Sequence, residues 1–191
     1  MTQRSGTVLA IESYEPGWIL VDPQSRTSPG GVVDRWAADL GEALPEDGSL
    51  RSWLIDVVKQ ASDALVENEL LAFYLTDPAQ PLIALRVRVT EASRDLELGE
   101  IASGDPAGLI EPPIVEEFVS VRLGVGRRAY RFRTTGDDRT VVGSVMYAFA
   151  TEEATITALC SSTHFGLLAA RSTTVERLVN GIGLMPSKVG K

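Results

Sequence analysis

Cys160 is the only thiol in the chain and His164 the only imidazole, and they lie four positions apart. Such a pair can supply a nucleophile and the base that draws off its proton. The cysteine also closes the alternation Ala154, Ile156, Ala158, Cys160, in which every second side chain turns to the same face of a strand. A thiol in that position behaves as a small buried hydrophobe. The residues therefore predict a core cysteine beside a loop histidine, and no catalytic residue is assigned.

The remaining chemistry-bearing patterns resolve in the same direction. A single histidine and a single cysteine cannot build a multi-histidine or multi-cysteine metal site. The acidic doublets Glu116-Glu117, Asp137-Asp138 and Glu152-Glu153 are adjacent residues at strand ends. Their side chains point to opposite faces and do not converge on a metal or a glycosidic bond. Gly124-Val125-Gly126 lacks the later glycine and the following helix of a dinucleotide loop. Gly143-Ser144 lacks the second glycine of a nucleophile elbow. Neither a metal nor a cofactor is expected.

Arginine is the feature that stands above background. Arg122, Arg127, Arg128, Arg131, Arg133 and Arg139 crowd one short stretch, opposed locally only by Asp137 and Asp138. Arg131 and Arg133 share one strand face, opposite Tyr130 and Phe132. With Arg86, Arg88 and Arg122 on the same side, the result would be a surface lined by guanidinium groups. Such groups bind carboxylates in bidentate fashion, so the surface would suit an anionic ligand or an acidic partner segment. The competing reading pairs these arginines with acidic residues inside the same domain. Residues 1–117 carry 21 acidic and 8 basic side chains, whereas residues 118–191 carry 5 and 10.

The elements that must position these groups are read from periodicity. From Glu117 to Cys160 the pattern predicts four strands in a meander: 118–123, 130–134, 141–150 and 154–160, punctuated by Gly and Asp clusters. Residues 70–75 and 82–89 predict a hairpin turned at Asp77-Pro78, with Ile83, Leu85, Val87 and Val89 on one face and Arg86 and Arg88 on the other. Residues 7–13 and 18–21 predict a strand pair around Tyr14-Glu15-Pro16-Gly17. Helices are expected over 33–44, 50–66 and 172–182. The middle one carries the stripe Leu50, Trp53, Leu54, Val57, Val58, Ala61, Ala64, Leu65, with Ser49 or Asp47 as cap. Residues 91–116, acidic and rich in Gly and Pro, predict a long excursion with a short strand at 96–101. The fold class is α+β: a mainly antiparallel sheet with a C-terminal meander, packed by amphipathic helices as an α/β/α sandwich. It forms one domain over about residues 5–185.

Composition narrows the function classes. The net charge of −8 disfavours non-specific nucleic-acid binding. No apolar run approaches the length needed to cross a bilayer, and no secretory signal or lipid anchor is read at Met1–Gly6. With one cysteine there is no internal disulfide framework, and a cytoplasmic location is expected.

The strand pair containing Pro16-Gly17-Trp18, the amphipathic helix before a hairpin, the meander and the C-terminal Val/Leu helix together resemble the PsbP-like and Mog-like α/β/α sandwiches. The resemblance spans roughly Val8 to Leu184. Members of that fold mostly bind other proteins, and some bacterial ones look like secretion adaptors or chaperones. The resemblance thus implies a bacterial, non-enzymatic protein-binding adaptor, chaperone or scaffold, and it carries over no catalytic residue. The alternative is a small-molecule-binding protein or hydrolase with a pocket near residues 160–168, closed by the excursion. The expected partner is another protein with an acidic segment, and exposed strand edges allow a homodimer.

Overall fold

The computed structural model describes residues 7–41, 44, 48–76, 81–92, 97–135 and 140–186. Strand β1 (Thr7–Ile11) and strand β2 (Trp18–Val21) lead through a 3-10 turn (Pro23–Thr27) into helices α1 (Pro29–Asp39) and α2 (Ser49–Ala64). Strands β3 (Glu69–Tyr74) and β4 (Ile83–Glu91) are followed by helix α3 (Leu98–Ser103). The meander is β5 (Ile114–Ser120), β6 (Gly124–Thr135), β7 (Thr140–Ala150) and β8 (Ala154–Ser162). Helices α4 (Phe165–Ala170) and α5 (Ser172–Gly181) and strand β9 (Ile182–Pro186) complete the chain.

Seven strands form one antiparallel sheet in the order β2-β3-β4-β8-β7-β6-β5. The register places Leu71, Arg86, Leu159, Met146, Ala129 and Val115 in one row across six strands, so these six share a face. On that face α1 and α2 cover β2 and β3, burying Ile19 and Val21 against Val33, Trp36, Leu54 and Val58. Trp36 Nε1 donates to the Leu75 carbonyl at 3.2 Å, which satisfies the indole inside this layer. At the opposite end of the same face α3 lies on β6 and β7, with Ala102 packed on Ala129 and Ala148. The other face is the larger core: Ile83, Leu85, Val87, Val145, Tyr147, Phe149 and Ile156 meet Leu168 of α4, Val175, Leu178 and Val179 of α5, and Ile182 of β9. The architecture is an α+β sandwich, with helices on both faces of an antiparallel sheet.

Several local expectations change. Strands β1 and β2 do not pair: β1 runs antiparallel to β9, Val8 opposite Met185, while β2 pairs with β3. The excursion contains a helix, not a strand, because Leu98, Ile101 and Ala102 can cover the small residues of β6 and β7 only when wound on one helical face. The α2 stripe is centred on Leu54, Val58 and Ser62, leaving Trp53 45 % exposed. Gly48 stands at the α2 N-cap without a side-chain bond. The turn after β5 is at 121–123, and 124–126 already belong to β6. The sequence 165–170 forms a helix of its own before α5, and Ile182 leaves the helix to begin β9. The turns at Asp77-Pro78 and Gly136–Asp138, as well as Pro45, Asp47, Leu96 and Arg139, lie outside the described residues.

Candidate functional site: the sheet face, the free edge and an apolar pocket

Arg86, Arg88, Arg131 and Arg133 lie on the same face of the sheet, as the register dictates. Arg122 does not. It falls in the turn after β5 and pairs with Glu12, against β9 on the other side. The four that share a face divide into two pairs with different neighbours. Arg86 Nη2 and Arg88 Nε each donate to a different oxygen of Glu69 at 2.6 Å, and the Glu69 side chain is fully buried beneath them. Burial pushes the Glu69 carboxyl up, but the bonds from Arg86, Arg88 and the Val66 amide outweigh it and leave the group below its ordinary value.

Arg131 sits under the end of α3 instead of facing water, and Arg133 beside it is half-buried. Arg131 is 6 % exposed, and its Nη1 donates to the Ser103 carbonyl at 3.2 Å. Arg133 Nη2 donates to the Asp105 carbonyl at 2.7 Å. Ser103 ends α3, where unpaired carbonyls and the helix dipole favour a cation, and Asp105 follows just past the helix. The Nε atoms of both arginines have no hydrogen-bond partner among the described residues. Burial, with Arg133 alongside, lowers the Arg131 pKa from the usual guanidinium value. The two side chains fix the 103–105 segment to the sheet and do not project as an outward array.

Arg127 and Arg128 have carboxylate partners within the chain. Arg127 meets Glu117 at 3.1 Å. Arg128 bridges Glu116 at 2.8 Å and Glu176 at 2.6 Å, and lies over the Tyr130 ring. Glu12, Glu15, Glu116 and Glu117 come from the acidic first part of the sequence and pair with arginines of the second, so part of the charge asymmetry is closed inside the fold.

Cys160 is fully buried between Leu85 and Val145, and burial pushes its thiol up to about 12. His164 is exposed at the N-terminal end of α4, where its backbone N–H donates to Ser162 Oγ at 3.0 Å. No hydrogen bond joins the thiol and the imidazole. No cluster of three metal-ligating side chains occurs among the described residues, and none of their helices is long and apolar enough to cross a membrane.

Two features emerge that the residue types alone do not signal. The first is an apolar cavity of about 160 Å³, half open to solvent, between α4, the start of α5 and strands β6 and β7. Phe132 and Phe165 meet edge to face at 5.3 Å in its wall, and Tyr130, Val145, Tyr147 and Leu168 complete much of the lining. Gly143 makes room for Phe165: a Cβ there would lie 2.5 Å from the ring. Residues 98–103 take no part in this cavity, since α3 is on the opposite face.

The second feature is the free edge of the sheet. Among the described residues β5 ends the strand order, and Ile114, Val115 and Val119 on it are 60 %, 40 % and 60 % exposed. Ile110, Val121 and Val125 beside it are also exposed. Val119 is legible as a strand residue, whereas Val115 falls in the expected excursion over 91–116 and the strand in fact begins at Ile114; which strand ends a sheet is set by long-range pairing. Compared with protein-family models and with curated proteins, the chain matches none.

Proposed function

We propose that the protein is a non-enzymatic binding protein, an adaptor, chaperone or scaffold of the cytoplasm, that engages another polypeptide through β5. The observation that carries this reading is the exposure of aliphatic side chains along one strand edge, Val115, Val119 and Val125 on one face and Ile114 on the other. Ile110, Ile114, Val115, Val119, Val121 and Val125 lie on or beside the free edge strand. Single exposed apolar residues are ordinary, whereas a contiguous group marks an interaction site. An open strand edge also offers unpaired N–H and C=O groups to an incoming strand. The resemblance to PsbP-like and Mog-like sandwiches supports the same class of function.

The test uses Val115→Lys and Val119→Lys, which place a charge in the patch without touching the core. Affinity-purified wild-type protein should retain a bound polypeptide that both variants lose. Trp53→Lys, on the exposed side of α2, should retain it. Loss with Trp53→Lys and retention with the edge variants would move the binding surface to α2.

A second reading rests on the cavity beside α4. Its volume of about 160 Å³ is below the roughly 300 Å³ at which drug-sized ligand sites begin. It suits a single aromatic ring or a short aliphatic chain.

A further inference from the structure

We infer that the polypeptide seated on β5 is a second copy of this chain, paired antiparallel about a two-fold axis at Glu117. This rests on the reading of β5 as the binding edge and specifies its occupant. The backbone supplies the first argument. Beside the isolated bridge Leu109–Arg133, Ile110 N–H donates to the Phe132 carbonyl at 2.9 Å and Thr134 N–H to the Gly108 carbonyl at 3.1 Å. Phe132 and Thr134 therefore direct their peptide groups toward the β5 side of β6. The β6–β7 register is unbroken from Gly126 to Thr135, so this alternation continues along β6. The pairs Ile114–Tyr130, Glu116–Arg128 and Phe118–Gly126 are then the hydrogen-bonded ones. Val115, Glu117 and Val119 turn their N–H and C=O groups outward, to the open edge.

The side chains supply the second argument. With Glu117 opposite itself, Val115 of each copy faces Val119 of the other, and all three positions are of the outward-bonding set. Both valines lie on the face that also carries exposed Val125. The aliphatic side chains of the edge are thereby paired with one another, twice per dimer. Glu117 at the axis does not bring two bare charges together, because each carboxylate already holds Arg127 at 3.1 Å. Glu116 is likewise matched by Arg128 at 2.8 Å. The edge therefore presents no net charge to select an acidic or a basic peptide. Its selective feature is the Val115/Val119 spacing, which its own copy complements. The product is a continuous antiparallel sheet running through both copies.

Residues directly opposite in a hydrogen-bonded antiparallel pair have Cα atoms about 5.5 Å apart, within the range a disulfide spans. Glu117→Cys should thus form a covalent dimer under mild oxidation, with buried Cys160 taking no part. Glu152→Cys, in the exposed β7–β8 turn, should not. By sedimentation over a concentration series, the wild type should be dimeric. Val119→Lys should be monomeric with an unchanged circular dichroism spectrum. A wild type that stays monomeric overturns the inference, as does a dimer that survives Val119→Lys. A monomer whose Val119→Lys variant still loses another bound protein retires self-pairing and leaves β5 as the binding edge. If Val119→Lys alters neither mass nor partner, both readings fail together.

Discussion

Arg131 donates to the Ser103 carbonyl, so a buried guanidinium closes the C-terminal end of a six-residue helix and has no carboxylate partner among the described residues. Gly104 follows at φ 63°, and a Cβ on it would run into the Arg131 guanidinium. The contact is one tie of the 98–105 segment to the sheet, beside the packing of Leu98, Ile101 and Ala102 on β6 and β7 and the bond from Arg133 to the Asp105 carbonyl.

This arrangement predicts opposite outcomes for two substitutions at one position. Arg131→Glu would set a buried carboxylate against a carbonyl oxygen and should cost about 3 kcal/mol or more in urea denaturation. Arg131→Met keeps the volume, removes the desolvated charge and should lie within about 1 kcal/mol of wild type. Arg133→Glu should cost less than Arg131→Glu, because Arg133 is only half-buried. Equal and small effects of Arg131→Glu and Arg131→Met would mean that the guanidinium is solvated in solution.

The fate of Arg131 also marks where the sequence stops being legible. Alternation along β4 placed Ile83, Leu85 and Val87 inward and Arg86 and Arg88 outward, because period-two patterning acts within one strand. The same rule correctly put Arg131 and Arg133 on one face of β6. Whether that face meets water depended on α3, whose six residues are too few to show a helical period. Strand β9 was hidden for a related reason. Its partner β1 lies at the other end of the chain, and a pairing of that separation leaves no local signal. The free edge is a third case: Val119 announces a strand, Val115 falls in the expected excursion that β5 in fact takes over from Ile114, and nothing near them announces the end of a sheet.

Cys160 should be unreactive toward a thiol reagent in the native protein at neutral pH. Burial favours its neutral form, so in the folded chain the thiol loses its proton at about 12 and not at the ordinary 9.0. Above pH 9 the unfolded chain binds fewer protons at this group than the folded one. Stability is therefore lost as pH rises from about 9 toward 12, by roughly 1.4 kcal/mol per pH unit. Cys160→Ala should cost about 1–2 kcal/mol at pH 7 and flatten that alkaline slope relative to wild type in paired denaturation curves.

Glu69 predicts an acid limb. Its carboxyl is buried, and the two arginines hold its pKa below the ordinary 4.5. The unfolded chain takes up the proton first as pH falls, so this contribution is complete above about 4.5 and is lost below it. Glu69→Gln should remove two charge-assisted bonds and cost about 1.5–3 kcal/mol at pH 7, with a shallower decline in acid. Arg86→Ala and Arg88→Ala should each cost less than Glu69→Gln, because either arginine is 44 % or more exposed and the other still holds the carboxylate.

The cavity beside α4 yields a prediction that depends on size. A space of about 160 Å³ walled by Phe132, Phe165, Val145 and Leu168 is close to the roughly 150 Å³ of an apolar cavity that takes up benzene. Small neutral rings such as benzene or indole should raise the thermal midpoint in proportion to the logarithm of their concentration, as binding to the folded state alone requires. Charged analogues such as benzoate should not, because nothing charged lines the cavity to replace their hydration. Ala169→Trp would fill the space from an exposed position on α4. It should abolish the shift without lowering the midpoint of the unliganded protein by more than a few degrees. A shift that persists in Ala169→Trp would place the binding elsewhere, and no shift in the wild type would leave the cavity as a packing defect between α4 and the sheet.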